Sequence, residues 1–256
     1  MPFEHQLIAL AALVRKEVRR FMRIWVQTLI PPVVTTALYF VIFGQLIGSR
    51  IGEMGGFDYM SFVVPGLIMM SVINNSYSNV ASSFYNAKFN KSVEELLVSP
   101  TPTYIILLGY VIGGVCRGLA VGIIVTVVSL VFTSLEIYSL TAIFFVILFT
   151  AVVFSLAGLI NGIYANSFDD ISIIPTFVLT PMTYLGGVFY SVSLLPDFWE
   201  TVSRFNPVLY VVNAFRYGFL GISDVNLGLA SLGVVAGVVV LSAYAMYLLT
   251  SEKLRA

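Results

Sequence analysis

The stretch LTAIFFVILFTAVVFSLAGLINGIY, residues 140–164, holds 25 residues without a charged side chain. A helix of that length extends about 37 Å, which exceeds the ~30 Å hydrocarbon core of a bilayer. Its apolar residues are continuous and do not alternate, as they would in the strands of a membrane barrel. The stretch therefore predicts a membrane-spanning helix and decides the fold class.

Five further stretches have a similar length and apolar character. They are residues 24–47, 59–83, 103–132, 171–190 and 229–250. The chain is 59% hydrophobic and 10% charged, whereas a soluble domain is about half apolar and about a quarter charged. The sequence predicts an all-α polytopic membrane protein with six transmembrane helices in one transmembrane domain, residues 1–256. Its net charge of zero gives no indication of a nucleic-acid partner.

Positive charge is distributed unevenly between the two sides that this topology defines. One side carries Arg15, Lys16, Arg19, Arg20, Arg23, Lys88, Lys91, Lys253 and Arg255. The other side carries only Arg50, Arg204 and Arg216. Because Lys and Arg accumulate in cytoplasmic loops, both termini are predicted to be cytoplasmic.

Residues 1–23 are predicted to form an interfacial helix before the first span. Five basic residues of this segment fall on one helical face. Apolar residues cover the other face: Val14, Val18, Phe21, Met22 and Trp25. A basic amphipathic helix of this kind lies in the plane of the membrane interface. The alternative is that the charges serve only to orient the first span.

Residues 84–100 are predicted to form an amphipathic cytoplasmic helix, which Pro100 and Pro102 terminate. Apolar residues recur at helical spacing, and charged ones occupy the remaining positions. The apolar set is Tyr85, Phe89, Val93, Leu96 and Leu97, and the charged set is Lys88, Lys91, Glu94 and Glu95. Such a helix fits a groove on a partner protein, and the alternative is that it lies flat on lipid.

Small and polar residues recur inside the spans. Glycines repeat in three of them: Gly109, Gly113, Gly114, Gly118 and Gly122, then Gly158 with Gly162, and Gly233 with Gly237. Their spacing predicts close packing of helix backbones. Arg117 lies among the glycines and is expected to face protein or water.

The second predicted span has a polar face. Ser71, Asn75, Asn79 and Ser83 are four residues apart and therefore share one side of a helix. They either line a translocation pathway or join helices by hydrogen bonds, and we favour the joining role.

The segment 191–228 is too long and too apolar for a simple connector, and Pro196 and Pro207 interrupt it. It is predicted to form a re-entrant helical hairpin at the outer membrane face. The alternative is a peripheral outer cap.

The chain lacks the sequence patterns of the common catalytic and metal sites. It has no G-x-x-x-x-G-K-[ST] loop and no G-x-S-x-G, H-E-x-x-H or C-x-x-C motif. Its single cysteine, Cys116, and single histidine, His5, allow no internal disulfide and no histidine cluster. Asp169 and Asp170 fall in a predicted short cytoplasmic turn. We expect no catalytic residue, no metal and no cofactor in this chain.

Several separated motifs resemble ABC-2 type transporter permeases. They are RFMRIWVQTLIPP (20–32), PGLIMMSVINN (65–75), EELLVSP (94–100), PTFVLTPMTYLGGVFYSVSLLP (175–196) and NPVLYVVNAFRYGFLG (206–221). The match extends over essentially the whole chain, and the motifs follow one another in the family's order.

The resemblance implies an exporter subunit of the bacterial inner membrane that pairs with a second copy of itself. It also implies two separate P-loop ATPase subunits, which bind ATP and Mg. The ATPase-contact residues it implies are Arg19, Arg20, Phe89, Lys91, Val93, Glu94, Glu95 and Leu97. The residues it implies for the outer re-entrant segment are Pro207, Tyr210 and Arg216. The alternative is a secondary carrier, which the absence of clear intramembrane acids disfavours.

Overall fold

Nearly all of the described chain is helical. The computed structural model describes residues 1–251; Lys253 and Arg255, which contribute to the predicted charge asymmetry, lie outside the described residues. The elements are α1 (Phe3–Arg23), α2 (Trp25–Tyr39), a π-helical segment (Phe40–Gly48), α3 (Ser49–Ile51), β1 (Glu53–Met54), β2 (Phe57–Asp58), α4 (Tyr59–Phe89), α5 (Ser92–Val98), α6 (Thr103–Ser129), α7 (Leu140–Tyr164), α8 (Phe168–Ile174), a second π-helical segment (Pro175–Leu179), α9 (Thr180–Tyr184), a 3-10 turn (Val192–Leu194), α10 (Asp197–Arg204), α11 (Pro207–Leu220) and α12 (Leu227–Thr250).

Within residues 1–251, four helices are long and apolar enough to cross a membrane. They are Trp25–Gly48, Thr103–Ser129, Leu140–Tyr164 and Leu227–Thr250. These four correspond to four of the six predicted spans, 24–47, 103–132, 140–164 and 229–250. The chain is therefore a polytopic helical membrane protein.

Helix α4 covers the second predicted span and continues beyond it. Its 31 residues extend about 46 Å, and most of them are buried against α6, α7 and α11. The asparagines and serines that lower its apolar character therefore face protein. Pro65 lies inside α4, and Pro31 and Pro32 lie inside α2, so neither proline site ends its helix.

The fifth predicted span, 171–190, is wrong as a regular α-helix and in its end, because residues 168–184 form one helical run that contains a π-helical turn and ends six residues early. The chain instead forms α8, the π-helical segment beginning at Pro175, and α9, which ends at Tyr184. Pro175 and Pro181 have no N–H to donate, and their rings disturb the preceding turn. The Thr180 hydroxyl donates to the Pro175 carbonyl, 2.9 Å away, across the irregular turn. Past α9, Gly187 adopts a positive φ of 69° where the chain reverses.

Glycines allow α4 to approach its neighbours closely. A Cβ at Gly118 of α6 would overlap the Ser76 side chain, and a Cβ at Gly162 of α7 would lie 3.0 Å from the Ala81 carbonyl oxygen. Two other glycines of α6 accommodate α1, since Leu13 covers Gly109 and Glu17 covers Gly113. The predicted stripe of small residues therefore packs helices within one chain.

One glycine pair does not follow this pattern. A Cβ at Gly233 of α12 would meet no described atom within 4 Å, and one at Gly237 would make only an ordinary contact with Val153. The spacing of Gly233 and Gly237 suggests close packing, but among the described residues no helix approaches either glycine more closely than this ordinary contact. The prediction of a packed seam at this pair is wrong for the single chain.

The bundle has two distinct ends. At one end, the last turn of α4 meets the end of α7: Lys88 Nζ donates to the carbonyls of Ile163 and Ala165, at 2.8 and 2.9 Å. We call this the α5 end. At the other end, Tyr59 in the first turn of α4 donates to the Phe189 carbonyl at 3.0 Å, close to where α10 and α11 begin. We call this the α10 end.

The glycine contacts predict opposite effects for two matched substitutions. Gly118→Ala should lower the stability of the protein, because an added methyl in a packed seam costs about 1–3 kcal/mol. Gly233→Ala should leave the stability unchanged or raise it, because alanine favours a helix by about 0.5–1 kcal/mol over glycine. Thermal unfolding in mild detergent, followed by circular dichroism, measures both. Equal midpoints for the two variants would contradict the assignment.

Candidate functional site

The polar face of α4 is directed at other helices. Asn79 and Asn75 are both buried, and each accepts a hydrogen bond from an arginine of a different helix. Arg20 of α1 reaches Asn79, and Arg117 of α6 reaches Asn75. Because the two asparagines are one turn apart, the two guanidinium groups lie on successive turns of the same face.

The contact at Asn79 joins α1 to α4. Arg20 Nη2 donates to both the backbone carbonyl and the Oδ1 atom of Asn79, each at 2.8 Å. Arg20 Nε lies 3.4 Å from the Glu17 carboxylate, and Glu17 is only 1% exposed. An arginine, a carboxylate and an amide are therefore enclosed between α1, α4 and α6.

This arrangement corrects the predicted faces of α1. The helix exists as predicted, but Arg20 turns toward the bundle, whereas Arg15, Lys16, Arg19 and Arg23 remain exposed. The buried face includes Glu17 and Phe21, and it follows the first turns of α6 from Gly109 to Gly113. The position of α1 in the plane of the membrane interface stays a prediction.

The contact at Asn75 lies in a cleft of about 280 Å³ between α2, α4 and α6. Arg117 Nη2 donates to Asn75 Oδ1 at 3.1 Å, and Asn75 Nδ2 donates to the Ser71 carbonyl one turn earlier at 2.9 Å. Gly114 and Gly118, on either side of Arg117, pack against α4 and α7. Arg117 thus faces a polar cleft, and its glycine neighbours serve packing.

At the α5 end, the prediction of one helix over 84–100 is wrong. Helix α4 ends at Phe89, and a turn at Asn90 and Lys91 separates it from α5. Lys91 has a φ of 59°, in the left-handed region that a non-glycine residue rarely adopts. The Asn90 side chain donates to the Asn86 carbonyl at 2.9 Å. Local hydrogen bonding of this kind competes with continuation of the helix.

The side chains predicted to contact a partner separate into buried and exposed groups. Val93 is only 3% exposed and belongs to the core, because the turn at Lys91 directs it inward. It cannot form a contact surface without rearrangement. Phe89 is 64% exposed, Leu97 is partly exposed, and Lys91, Glu94 and Glu95 face outward.

Phe89 is part of an aromatic cluster that the sequence did not reveal. Its ring centroid lies 5.3 Å from that of Phe168 on α8, and Phe168 lies 4.9 Å from Tyr85 in an edge-to-face contact. Phe168 is itself exposed. The α5 end therefore presents aromatic surface from two separate segments of the chain.

The acidic residues beside Phe168 stabilise the start of α8. Asp170 accepts hydrogen bonds from the backbone N–H groups of Asn166 and Ser167, at 2.8 and 3.1 Å. Together with the Ser167 hydroxyl, these bonds form a capping box. The hydrogen bond from Asn166, and then those from Ser167, lower the pKa of Asp170. The Asp169–Asp170 pair thus lies at a helix N-terminus, where carboxylates are favourable.

At the α10 end, two short helices follow α9. Pro207 is the first residue of α11, and Asn206 caps that helix by accepting from Val208 N–H at 3.0 Å. Asn206 Nδ2 donates to the Met182 carbonyl at 2.6 Å, which fixes α11 against α9. Tyr210 donates to the Arg204 carbonyl at 2.8 Å and so joins α11 to α10.

Arg216 does not belong with the exposed loop charges, where the sequence-based count placed it. It is 1% exposed and donates to the carbonyls of Gly187 and Phe62, at 2.6 and 3.2 Å. Its guanidinium carbon lies 3.7 Å from the centroid of the Phe62 ring, close enough for a cation–π contact. Arg216 thus joins α11, α4 and the loop after α9.

The structure also adds polar residues that sequence reasoning missed. Asp224 accepts from the Ser191 hydroxyl at 2.9 Å and from Val192 N–H at 3.2 Å, so it ties the start of segment 191–228 to its end. Asn213 accepts from Asp224 N–H at 3.1 Å. Glu17 had one available signal: it is four residues from both Leu13 and Phe21, on the apolar stripe of α1.

In residues 1–251, no group of three or more His, Cys, Asp or Glu side chains could hold a metal ion. The buried polar groups described above are joined to one another between helices, and the exposed aromatic groups gather at the α5 end. Within the described residues, the chain thus combines membrane-crossing helices with buried polar junctions between them and an exposed aromatic surface at one end.

The chain belongs to the ABC-2 type transporter family, since the model of that family matches residues 8–220. It is therefore a membrane permease of the ABC transporter class, and the family predicted from the sequence is confirmed. The chain is 63% identical over 220 residues to the inner membrane transport permease YadH of Escherichia coli K12, which covers 86% of each protein.

More distant relatives carry another name. The chain is 25% identical over 193 residues to nodulation protein J of Rhizobium meliloti, covering 75% of this chain and 74% of that protein. It is 23% identical over 198 residues to nodulation protein J of Neorhizobium galegae, covering 76% of each.

Asn79 and Asn74 of α4 should contribute differently to the stability of the protein. Asn79→Leu should destabilise the protein, because it removes the side-chain oxygen to which Arg20 donates. A hydrogen bond to a charged group is worth roughly 1.5–3 kcal/mol. Asn74→Leu is the matched control, because the Asn74 amide donates within its own helix, to the Met70 carbonyl. Thermal unfolding in detergent compares them. If both variants unfold at the same temperature as the parent, Asn79 does not join α1 to α4.

Proposed function

We propose that this chain is the membrane-spanning subunit of an ABC exporter, that it works as a homodimer, and that two separate P-loop ATPase subunits drive it. The observation that carries the proposal is the exposed aromatic surface at the α5 end. Phe89 and Phe168 lie there beside the outward-facing charges of α5. A solvent-side patch of this kind fits a groove on a partner.

The central helix offers a route for motion from this surface to the rest of the bundle. Helix α4 is continuous from Tyr59 to Phe89, so it connects the α5 end to the α10 end. Arg216 holds its first turns through the Phe62 carbonyl. A displacement of α5 by the ATPase would therefore move α4, and with it α11, as packed helices.

Helix α1 has a place in the same contact. Arg19 is an exposed residue of α1, and the neighbouring Arg20 contacts Asn79 and Glu17. In this proposal, Arg19 faces the ATPase or the lipid headgroups. Arg20 transmits the motion of α1 to α4 without touching the partner.

The topology in the proposal has six crossings. Helix α4 and the helical run of α8, the π-helical segment and α9 supply the two crossings beyond the four long apolar helices. Helices α10 and α11 form the outer re-entrant hairpin. Phe198, Trp199 and Phe205 of the α10 region are exposed and apolar, which suits an interfacial position.

We further propose that the chain resides in the bacterial inner membrane with its α5 end in the cytoplasm. The name of its relative YadH and the exposed basic residues at this end support that orientation. ATP and Mg are expected on the partner ATPase, because the chain has no P-loop of its own. Lipid surrounds the apolar helices, and no nucleic acid is involved.

The partner surface is tested by one exposed aromatic residue. Phe89→Ala should weaken ATPase binding about 30-fold, because a hot-spot anchor contributes about 2 kcal/mol. Glu95→Ala should have a smaller effect, since an exposed ion pair is worth roughly 0–1 kcal/mol. The measurement is co-purification of the ATPase, identified by its P-loop peptides, together with its hydrolysis rate in membranes.

Two further variants complete that experiment. Phe144→Ala removes an exposed aromatic ring of α7, distant in sequence from the patch, and should leave ATPase binding unchanged. Val93→Ala is not informative, because Val93 is buried in the core. Full binding and transport by the double variant Phe89→Ala, Leu97→Ala would show that the ATPase docks elsewhere.

The orientation is tested with single cysteines in a Cys116→Ala background. Thr201 on α10 and Ser92 on α5 are both exposed, whereas Ser203 is buried and unsuitable. In intact spheroplasts, Thr201→Cys should react with an impermeant thiol reagent, and Ser92→Cys should react only after the membrane is opened. The reverse pattern would invert the topology.

A further inference from the structure

The cleft around Arg117 lies between α2, α4 and α6. Its polar lining includes Thr28, Thr35, Thr36, Ser71, Asn74 and Asn75. Arg117 is the cation among these lining residues, and none of the cleft's lining residues is a carboxylate. A positive charge thus occupies a polar cavity inside an otherwise apolar part of the molecule.

Arg117 is poorly compensated by its neighbours. Its hydrogen bond to Asn75 Oδ1, at 3.1 Å, is to a neutral amide. Its buried Nε atom has no hydrogen-bond partner among the described residues. The nearby buried acid, Glu17, is already in ion pairs with Arg20 and Lys16, at 3.4 and 3.8 Å. An intramembrane arginine without a counter-charge is a candidate for binding an anion.

A second arginine, Arg20, lies one turn along the same face of α4, but its charge is paired with that of the buried Glu17. Arg20 binds Asn79, one helical turn along α4 from Asn75. Helix geometry puts the two asparagines about 6 Å apart along the axis. The unpaired charge of the cleft is therefore that of Arg117, and low-dielectric walls focus the field of such a charge into a cleft and concentrate anions there.

The opposite wall of the cleft offers groups for a hydroxylated ligand. Pro31 and Pro32 have no N–H, so neither can donate to the Thr28 carbonyl three and four residues earlier. That carbonyl belongs to a residue lining the cleft, as does the Thr35 hydroxyl. Helix α2 thus supplies the cleft lining with residues that carry hydroxyl groups and, at Thr28, a carbonyl without a proline N–H partner.

We propose that this cleft binds a phosphate or carboxylate group carried on a hydroxyl-bearing molecule, and that the transported substrate carries such a group. The anionic oxygens would pair with Arg117, and the hydroxyl groups would donate to the wall formed by α2. The statement about the substrate rests on the proposed function. The statement about the cleft does not, because it concerns only residues of this chain.

The positive potential is measured with a cysteine in the cleft. Thr35→Cys, in a Cys116→Ala background, is labelled with methanethiosulfonates bearing a sulfonate or a trimethylammonium group. The ratio of the anionic to the cationic labelling rate should fall about ten-fold when Arg117→Gln is added, because one nearby unit charge is lost. Arg117→Lys should retain most of the ratio. The ratio at Ser92→Cys, on the α5 end, should not change.

The ligand is measured by protection of the same cysteine. The purified protein is placed in nanodiscs of phosphatidylcholine, and either glycerol 3-phosphate is added or phosphatidylglycerol is included in the bilayer. Slower labelling of Thr35→Cys with glycerol 3-phosphate indicates a soluble anion, and slower labelling with phosphatidylglycerol indicates a lipid headgroup. Both results support the proposal. Glycerol, which lacks the anionic group, should give no protection.

The proposal requires both results. An unchanged labelling ratio in Arg117→Gln overturns it, and so does protection by neither phosphate compound. Should Arg117→Gln fail to fold, the Arg117→Lys variant and the protection measurements on the parent decide the question. None of these assays contains the ATPase. Failure of the ATPase to co-purify would therefore reject the proposed function and leave the cleft measurements standing.

Discussion

The close approach of α4 to α6 and α7 is the constraint on which the rest of this structure depends. Lipid chains are as apolar as leucine side chains, so burial of apolar surface alone gives membrane helices little reason to associate. Glycines at 118 and 162 instead let backbones come near enough for dispersion and hydrogen bonds to hold them. With α4 enclosed in this way, its buried Asn75 and Asn79 face other helices, and each accepts a hydrogen bond from an arginine.

The arginines that lie between helices illustrate the cost of burying polar groups in this bundle. In a low-dielectric interior each buried donor or acceptor requires a partner. Arg216 meets this requirement with backbone carbonyls left accessible near Gly187 and at Phe62, and Arg20 meets it with Asn79 and Glu17. Arg117 meets it least completely. Arg117 donates to the neutral amide of Asn75, and its buried Nε atom has no hydrogen-bond partner among the described residues. We attribute this deficit to the cleft, which provides no carboxylate.

The sequence predicted the elements whose cause is local. The bounds of α7 and α12 follow from uninterrupted apolar runs, and the family followed from separated motifs. The sequence-based predictions were wrong or incomplete where packing between helices determines the structure. Pro65 stays inside a regular α-helix that is packed on several sides, whereas Pro175 begins a π-helical segment. Glu17 was overlooked because a lone acid among basic residues is usually solvated, and only the contact with Gly113 shows that it is buried. Val93 fitted a surface stripe until the turn at Lys91 changed its direction.

That turn at Lys91 has a mechanical consequence. A lysine held at a φ of 59° has few alternative backbone conformations that preserve the adjoining helices. A glycine at this position could adopt many backbone conformations, whereas lysine restricts the turn and so keeps the angle between α4 and α5. A displacement of α5 would then move α4 as well, because the turn between the two helices would bend little.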